Sequence, residues 1–325
     1  VKLFDYTVSQ TATVGFDIEF ALLNTKGRPV SAIPYLRGTK KRPQDVMGGN
    51  IQRDNIAFEI AVDYSTNWND LIDGIRDILQ YGISALPKGY KLSCIPSATY
   101  DPKELKHAEA KEFGCDADYD AKTGFVNEFD GIVDPNFRSF GFHVHTGYSR
   151  EQFEARTHVL VSDLVLGLFS TMKDNSEAAL ARRQLYGKPS CYRLKDYGVE
   201  YRTLSNYFCK SPRLIKVIYV LNRLALCMSV RYFDIYYRSV DMYEVSDVIM
   251  SGNTARATEI FFKHFHKHID PTTQRWLIDE LEYDNYKSLE EEWCLDYSVQ
   301  QRTTHEALRE DYYVPPTVKE IIQHA

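Results

Sequence analysis

Four short runs carry side chains suited to divalent metal ions and phosphate: Asp17-Ile-Glu19, Asn55 through Glu59 to Asp63, His143-Val-His145 and Glu200-Tyr-Arg202. Within each run the polar residues are spaced by even numbers. A strand of period two therefore turns them to one face. Carboxylates crowded on one surface repel each other and resist burial unless a cation neutralises them. Oxygen-rich ligation with a histidine suits Mg²⁺ or Mn²⁺, whereas a zinc site calls for more His or Cys. Metal-binding carboxylates beside an arginine are the parts needed to move a phosphoryl group from ATP.

The elements that must hold these residues are strands with an apolar reverse side. Val14, Phe16, Ile18 and Phe20 alternate with Asp17 and Glu19. Ile56, Phe58, Ile60 and Val62 do the same in a strand predicted over 54–63, with Asn55, Glu59 and Asp63 on the other face. Phe140, Phe142 and Val144 back His143 and His145, and Gly141 and Gly147 leave space beside the histidines. Val199, Tyr201 and Thr203 back Glu200 and Arg202 in a strand over 198–203. Paired in one antiparallel sheet, the four bury their apolar faces against helices and line one concave surface with their charges.

Between these strands the pattern is plainer. Residues 24–50 are rich in turn formers and cations and read as a hairpin turn followed by a long loop. Leu71, Ile72, Ile75, Ile78 and Leu79 have helical spacing behind a cap at Thr66 or Asn67, and a further strand is expected at Tyr90–Pro96. Residues 101–137 read as an acidic loop, in which Asp116 to Asp120 fails as an EF-hand because Ala121 replaces the required glycine. Ser149-Arg-Glu-Gln152 is a capping-box sequence for a helix to about Lys173. Ala181 to Arg193 reads as a basic loop fit for anionic groups, through Arg182 and Arg193 above all. Ser211-Pro212 opens a long apolar helix to about Tyr237, and more helices follow Val240. There His264, His266 and His268 read as a solvated helix end, since no acids accompany them.

Composition narrows the class. A chain of 325 residues, 44% hydrophobic, can bury a full core. A net charge of −6 without a long basic run argues against nonspecific binding to nucleic acid. Val159–Phe169, the longest apolar run, is too short to span a bilayer, and no signal peptide is read at the start. Six scattered cysteines without a C-x-x-C pair point to reduced thiols and a cytoplasmic protein.

The motifs resemble the glutamine synthetase and glutamate–cysteine ligase superfamily, and within it the phage-type carboxylate–amine ligases. Residues 15–20, 54–59, 113–118, 138–145 and 197–202 carry the family's patterns Gly-x-Asp-x-Glu-Phe, Asp-Asn-x-x-x-Glu, Phe-Gly-Cys-x-x-Asp, Arg-x-x-Gly-x-His-x-His and Tyr-Gly-x-Glu-x-Arg. The resemblance implies an α+β fold: a curved antiparallel β-sheet forming an open active-site funnel, with helices on its outer face. It implies ATP activating a carboxylate as an acyl phosphate, which an amine attacks to form an amide. Asp17, Glu19, Glu59, His143 and Glu200 would hold Mg²⁺ or Mn²⁺. His145 and Arg202 would meet the ATP phosphates, with Glu59, Glu200 and Arg202 nearest the chemistry. Arg138, Arg182 and Arg193 would receive the carboxylate substrate or phosphates. The partners implied are small-molecule or peptide carboxylates and amines. One departure is that glutamine synthetase supplies a second glutamate soon after the counterpart of Glu59, where this chain has only Asp63. A catalytic domain over 1–245 and a helical extension over 246–325 are expected. A homo-oligomer is open, but the ring of glutamine synthetase is not assumed, because its small N-terminal domain has no counterpart. A phosphotransferase using the same parts, a metal-dependent hydrolase and a non-enzymatic binding protein are the competing readings.

Overall fold

Alternation of apolar and polar residues over Thr13–Leu23 builds β1, the strand that carries Asp17 and Glu19, and it lies near the middle of a large sheet. The computed structural model describes residues 11–111, 118–127, 134–148, 154–231 and 239–300. The fold is α+β. In chain order, β2 is Pro29–Val30, β3 Gln44–Val46, β4 Gly49–Asp54, β5 Ala57–Ser65 and β6 Lys91–Ser93. β7 is Ser97–Thr99, β8 Tyr119–Asp120, β9 Phe137–Ser139, β10 Phe142–Gly147, β11 Cys191–Lys195 and β12 Gly198–Tyr201. The main sheet runs β3-β4-β5-β1-β10-β12-β11-β8, with β2 and β6 also paired to β1, and β7 pairs with β9 apart from it. Every one of these strand pairs is antiparallel.

One face of the sheet is apolar and covered. Phe16, Ile18, Phe20, Phe58, Ile60, Phe142, Val144, Val199 and Tyr201 are all fully buried in one continuous core. Helix α1, Trp68–Ser84, packs its Leu71, Ile75, Ile78 and Leu79 stripe on β5. Its N-cap is Asn67, whose side chain accepts from the Asn69 N–H at 3.0 Å. Behind β11 and β12 lies α2, Ala155–Ser162, which runs through a π-helical turn at Asp163–Gly167 into α3, Leu168–Lys173. Asp163 in that turn is fully buried and accepts from Tyr201 Oη at 2.8 Å and Ser190 Oγ at 2.7 Å. Burial pushes its carboxyl pKa up, and the two hydroxyls tie β12 and the chain before β11 to the helical layer.

Helix α4 is Glu177–Leu185, α5 Pro212–Arg231, α6 Met242–Ser251, α7 Thr254–His264, α8 Pro271–Glu282 and α9 Leu289–Glu292. Val245, Ile249, Phe261, Leu277 and Trp293 join the same core as the sheet, and Trp293 Nε1 donates to Cys209 O at 2.8 Å. Among the described residues no helix is long and apolar enough to cross a membrane. Cys94, Cys191, Cys209, Cys227 and Cys294 are free thiols.

Several boundaries differ from the sequence reading. The long loop expected over 24–50 contains β2, β3 and the first two residues of β4, and the strand expected from Asp54 is interrupted. Asp54 pairs with Ala57 across a tight turn, where Asn55 adopts φ 56°. Asn55 therefore leaves the strand face, and its Nδ2 donates to the carbonyls of Glu109 and Ala110. The stretch from Ala181 is the end of α4, a turn and then β11, rather than a loop throughout. The capping box at 149–152 lies outside the described residues. The helix after it starts at Ala155, with Glu154 as its cap. His266 is buried, packs on the Phe262 ring at 4.4 Å and lies 3.1 Å from Gln274 O through Nε2. It is a packing residue and not part of a solvated end.

Candidate active site

Strand register collects the polar residues into rows across one face of the sheet. Gln52 opposes Glu59, and Glu59 opposes Glu19. In the next row Asn50 opposes Ala61, Ala61 opposes Asp17, and Asp17 opposes His143. In the third, Gly15 opposes His145, His145 opposes Glu200, and Glu200 opposes Arg193. Ala61 and Gly15 are the small residues of these rows. Gly141, just before β10, has to be small. A Cβ there would lie 2.6 Å from His143 Nε2 and 3.2 Å from Arg182 Nη2. Its N–H donates to Glu19 Oε2 at 2.6 Å, fixing that carboxylate.

The face has two electrical poles. At one, Glu19, Asp54 and Glu59 each bring a ligand-capable oxygen within 4.8 Å of the others. Burial first, then repulsion from Glu19, Asp54 and Asp17, drives the Glu59 pKa well above the ordinary carboxylate range. Burial and Asp54 raise that of Glu19, against the opposing pull of the Gly141 N–H. Gln52 Nε2 donates to Glu59 Oε2 at 2.8 Å. Two buried glutamates pushed toward protonation by burial and by neighbouring carboxylates are a donor set suited to a hard divalent cation.

At the other pole cations surround a carboxylate. Glu200 is buried and is contacted by Arg202 through Nη1, by Lys195 Nζ at 2.9 Å and by Arg193 Nη1 at 3.6 Å. His143 Nδ1 lies 3.4 Å from it. Burial, together with Arg202 and Arg182, depresses the His143 pKa well below the usual imidazole value, so the ring is neutral. Its Nε2 is buried with no hydrogen-bond partner among the described residues. Arg202 Nη2 is in the same condition, while Nε stands 3.4 Å from Asp118 Oδ2. Between the poles, His145 Nε2 lies 2.9 Å from Asp17 Oδ2 and its Nδ1 meets the Tyr197 hydroxyl. Burial opposes ionisation of Asp17, but His145, Lys195 and Arg202 outweigh it and its pKa falls.

The expected residues therefore divide. Asp17, Glu19, Glu59, His143, His145, Arg193, Glu200 and Arg202 share the polar face of the sheet. Arg138 is occupied elsewhere: its guanidinium binds Asn55 Oδ1 and the carbonyls of Pro135, Phe137 and Ala110. It braces the β4–β5 turn. Arg182 is only 1% exposed, and it donates to the carbonyls of Thr203 at 2.8 Å and Arg202 at 3.2 Å. Burial lowers its pKa to about 10. A role as a freely reaching substrate arm does not fit that setting; it holds the chain just beyond β12. Arg182→Ala is accordingly expected to lower unfolding stability by about 3 kcal/mol, since buried carbonyls lose their donors. Denaturant melts read this directly, and an unchanged midpoint would return Arg182 to the role of a substrate arm.

Asp54 is the residue that the sequence reading passed over. It stands in the Asp-Asn-x-x-x-Glu pattern, yet strict alternation from Glu59 selects Asn55, and only the turn restores Asp54 to the same side. Asp118, the last residue of the Phe-Gly-Cys-x-x-Asp pattern, was likewise given no role. The rest of that loop, 112–117, lies outside the described residues.

Residues 134–299 match the family described as Phage phiEco32-like COOH.NH2 ligase-type 2. The chain belongs to this family of carboxylate–amine ligases. The matched segment contains His143, His145, Glu200 and Arg202, whereas Asp17, Glu19, Asp54 and Glu59 precede it. No curated protein matches the chain. Among solved structures, a bifunctional glutathione synthetase from Pasteurella multocida is similar at 11% identity and a TM-score of 0.42. That similarity covers 94% of this chain, which spans about half of the other (54%).

Proposed function

We propose that this ligase uses ATP to activate a carboxylate as an acyl phosphate and passes the acyl group to an amine. The observation that carries the reading is the meeting of a three-carboxylate pole, in which Glu19 and Glu59 are buried, and an arginine pole on one sheet face. Glu19, Asp54 and Glu59 would hold Mg²⁺ or Mn²⁺, with His143 Nε2, Glu200 and Asp17 as further donors. The bound ion would supply charge neutralisation for the triphosphate. Arg202 presents its Nη2 to the transferring phosphoryl group, where charge develops. Arg193 and His145 flank it toward the phosphates or the anionic substrate. A carboxylate oxygen of the substrate attacks the γ-phosphorus and ADP leaves. The amine nitrogen then attacks the acyl carbon, phosphate departs with that oxygen, and the nitrogen loses a proton. In this reading the sheet forms an open funnel like that of glutamine synthetase, within a catalytic region over 1–245 followed by a helical extension over 246–325.

ADP release with Mg²⁺–ATP, screened against pools of carboxylates and amines singly and together, tests the proposal. Release that needs both partners and yields an amide by mass spectrometry supports it. Release with a carboxylate alone and a lasting phosphorylated product identifies a phosphotransferase instead. Metal and nucleotide should also raise the melting temperature together, because ligand binding stabilises by about 2.7 kcal/mol at a hundredfold excess over Kd. No shift at millimolar Mg²⁺ and ATP would count against the site.

A further inference from the structure

Tyr186 follows α4, and its backbone N–H closes that helix on Arg182 O at 2.8 Å. The next residue, Gly187, takes φ 76° and turns the chain over the Arg182 guanidinium, where any Cβ would collide. This turn sets the Tyr186 ring beside two residues of the site and the buried Arg182. Its centroid lies 5.0 Å from Arg202 Cζ and 5.9 Å from Arg182 Cζ. The His143 ring stands 6.1 Å away, centroid to centroid, at an interplanar angle of 60°. Arg202 meanwhile has Nη1 engaged by Glu200 and Nη2 without a hydrogen-bond partner among the described residues.

We propose that Tyr186 is a positioning residue: its ring fixes the Arg202 guanidinium by cation–π contact and leaves Nη2 to meet the phosphoryl group. The inference rests on the role proposed above for Arg202. The physical advantage lies in what the ring does not use. A second carboxylate at that place would hold Arg202 by occupying its N–H donors, whereas a ring face attracts the cation and leaves those donors available. The ring also stands beside both Arg202 and Arg182, so one aromatic face offsets part of the cost of holding two buried cations near each other.

The test uses the full chain and Mg²⁺–ADP with aluminium fluoride, a mimic of the transferring phosphoryl group, compared by calorimetry with Mg²⁺–ADP alone. Tyr186→Leu should weaken binding of the fluoride complex about tenfold, the equivalent of one desolvated cation–π contact, with Mg²⁺–ADP binding nearly unchanged. Tyr186→Phe, which keeps the ring face, should keep the preference for the fluoride complex. Replacing Tyr186 by pentafluorophenylalanine keeps the ring's bulk but removes its negative face, so it should behave like the Leu variant even if the latter folds poorly. A merely structural ring would tolerate that change. If Arg202→Lys binds the fluoride complex as tightly as the wild type, or the wild type shows no preference for it, the role of Arg202 falls and this proposal with it. If Arg202→Lys loses the preference while both altered rings keep it, Tyr186 alone is overturned.

Discussion

Replacing Arg202 by Lys should cut ligase turnover by ~10²-fold or more while leaving the protein folded and its metal binding nearly intact. The guanidinium meets Glu200 through Nη1, lies beside Asp118 and Tyr186, and leaves Nη2 without a hydrogen-bond partner among the described residues. An ammonium is a point charge and cannot serve all of these directions. Glu200→Gln should behave differently. It removes the carboxylate that Arg202, Arg193 and Lys195 all face, so the cations lose their anchor and metal affinity weakens. Part of the lost rate should return at high Mg²⁺ or Mn²⁺. A surface Glu–Arg pair would contribute at most about 1 kcal/mol and hardly affect turnover. Folded Arg202→Lys and Glu200→Gln enzymes with near-normal ATP turnover would remove the basis for the proposed site.

The second large effect lies at the acidic pole. Without metal, Glu59 is held well above its ordinary value of 4.5 by burial and by its acidic neighbours. The folded state therefore binds that proton more tightly than the unfolded state. Stability from this group is full below pH 4.5 and declines as pH rises through the raised folded value. Melts in chelator should show that decline, and Mg²⁺ should flatten it. Glu59→Gln removes the charge that burial opposes, so the metal-free variant should melt higher than the wild type at neutral pH. The same change should weaken Mg²⁺ binding by at least ~10-fold, seen as loss of the thermal shift with metal and nucleotide. A variant that melts no higher and still responds to Mg²⁺ would show that the three carboxylates are not the ion's ligands.

Much of this site was legible because a strand reports its faces every second residue. Asp17 with Glu19, His143 with His145 and Glu200 with Arg202 could each be placed from alternation alone, and their apolar partners joined the main core except Phe140, which precedes β10 and packs in a second cluster with Ala21 and Tyr100. What alternation could not show was an interruption of the strand. A two-residue turn at Asn55-Ile56 lacks the Asn-Gly signature, so β4 was missed and Asp54 was exchanged for Asn55. The arginines failed for another reason. Arg138 and Arg182 look like Arg193 in a string of letters, and only the fold decides whether a cation meets carbonyl oxygens or a carboxylate of the site. The family match adds a complementary limit, since it begins at residue 134 and so omits the acidic pole.

The register of β1 has a consequence for how the chain is made. On one edge β1 pairs with β5, which leaves the ribosome soon after it, but on the other it waits for β10. Gly141 and Glu19, which bond across that seam, are 122 residues apart in sequence. At about 5–20 residues per second, the edge carrying Asp17 and Glu19 stays open for several seconds of synthesis. During that interval the nascent chain offers an unpaired strand edge and the apolar row of Phe16, Ile18 and Phe20 to any other strand that reaches them. Closure of this seam is a late, non-local event in assembly. The step that completes the sheet is therefore the same step that brings the two poles of the site together.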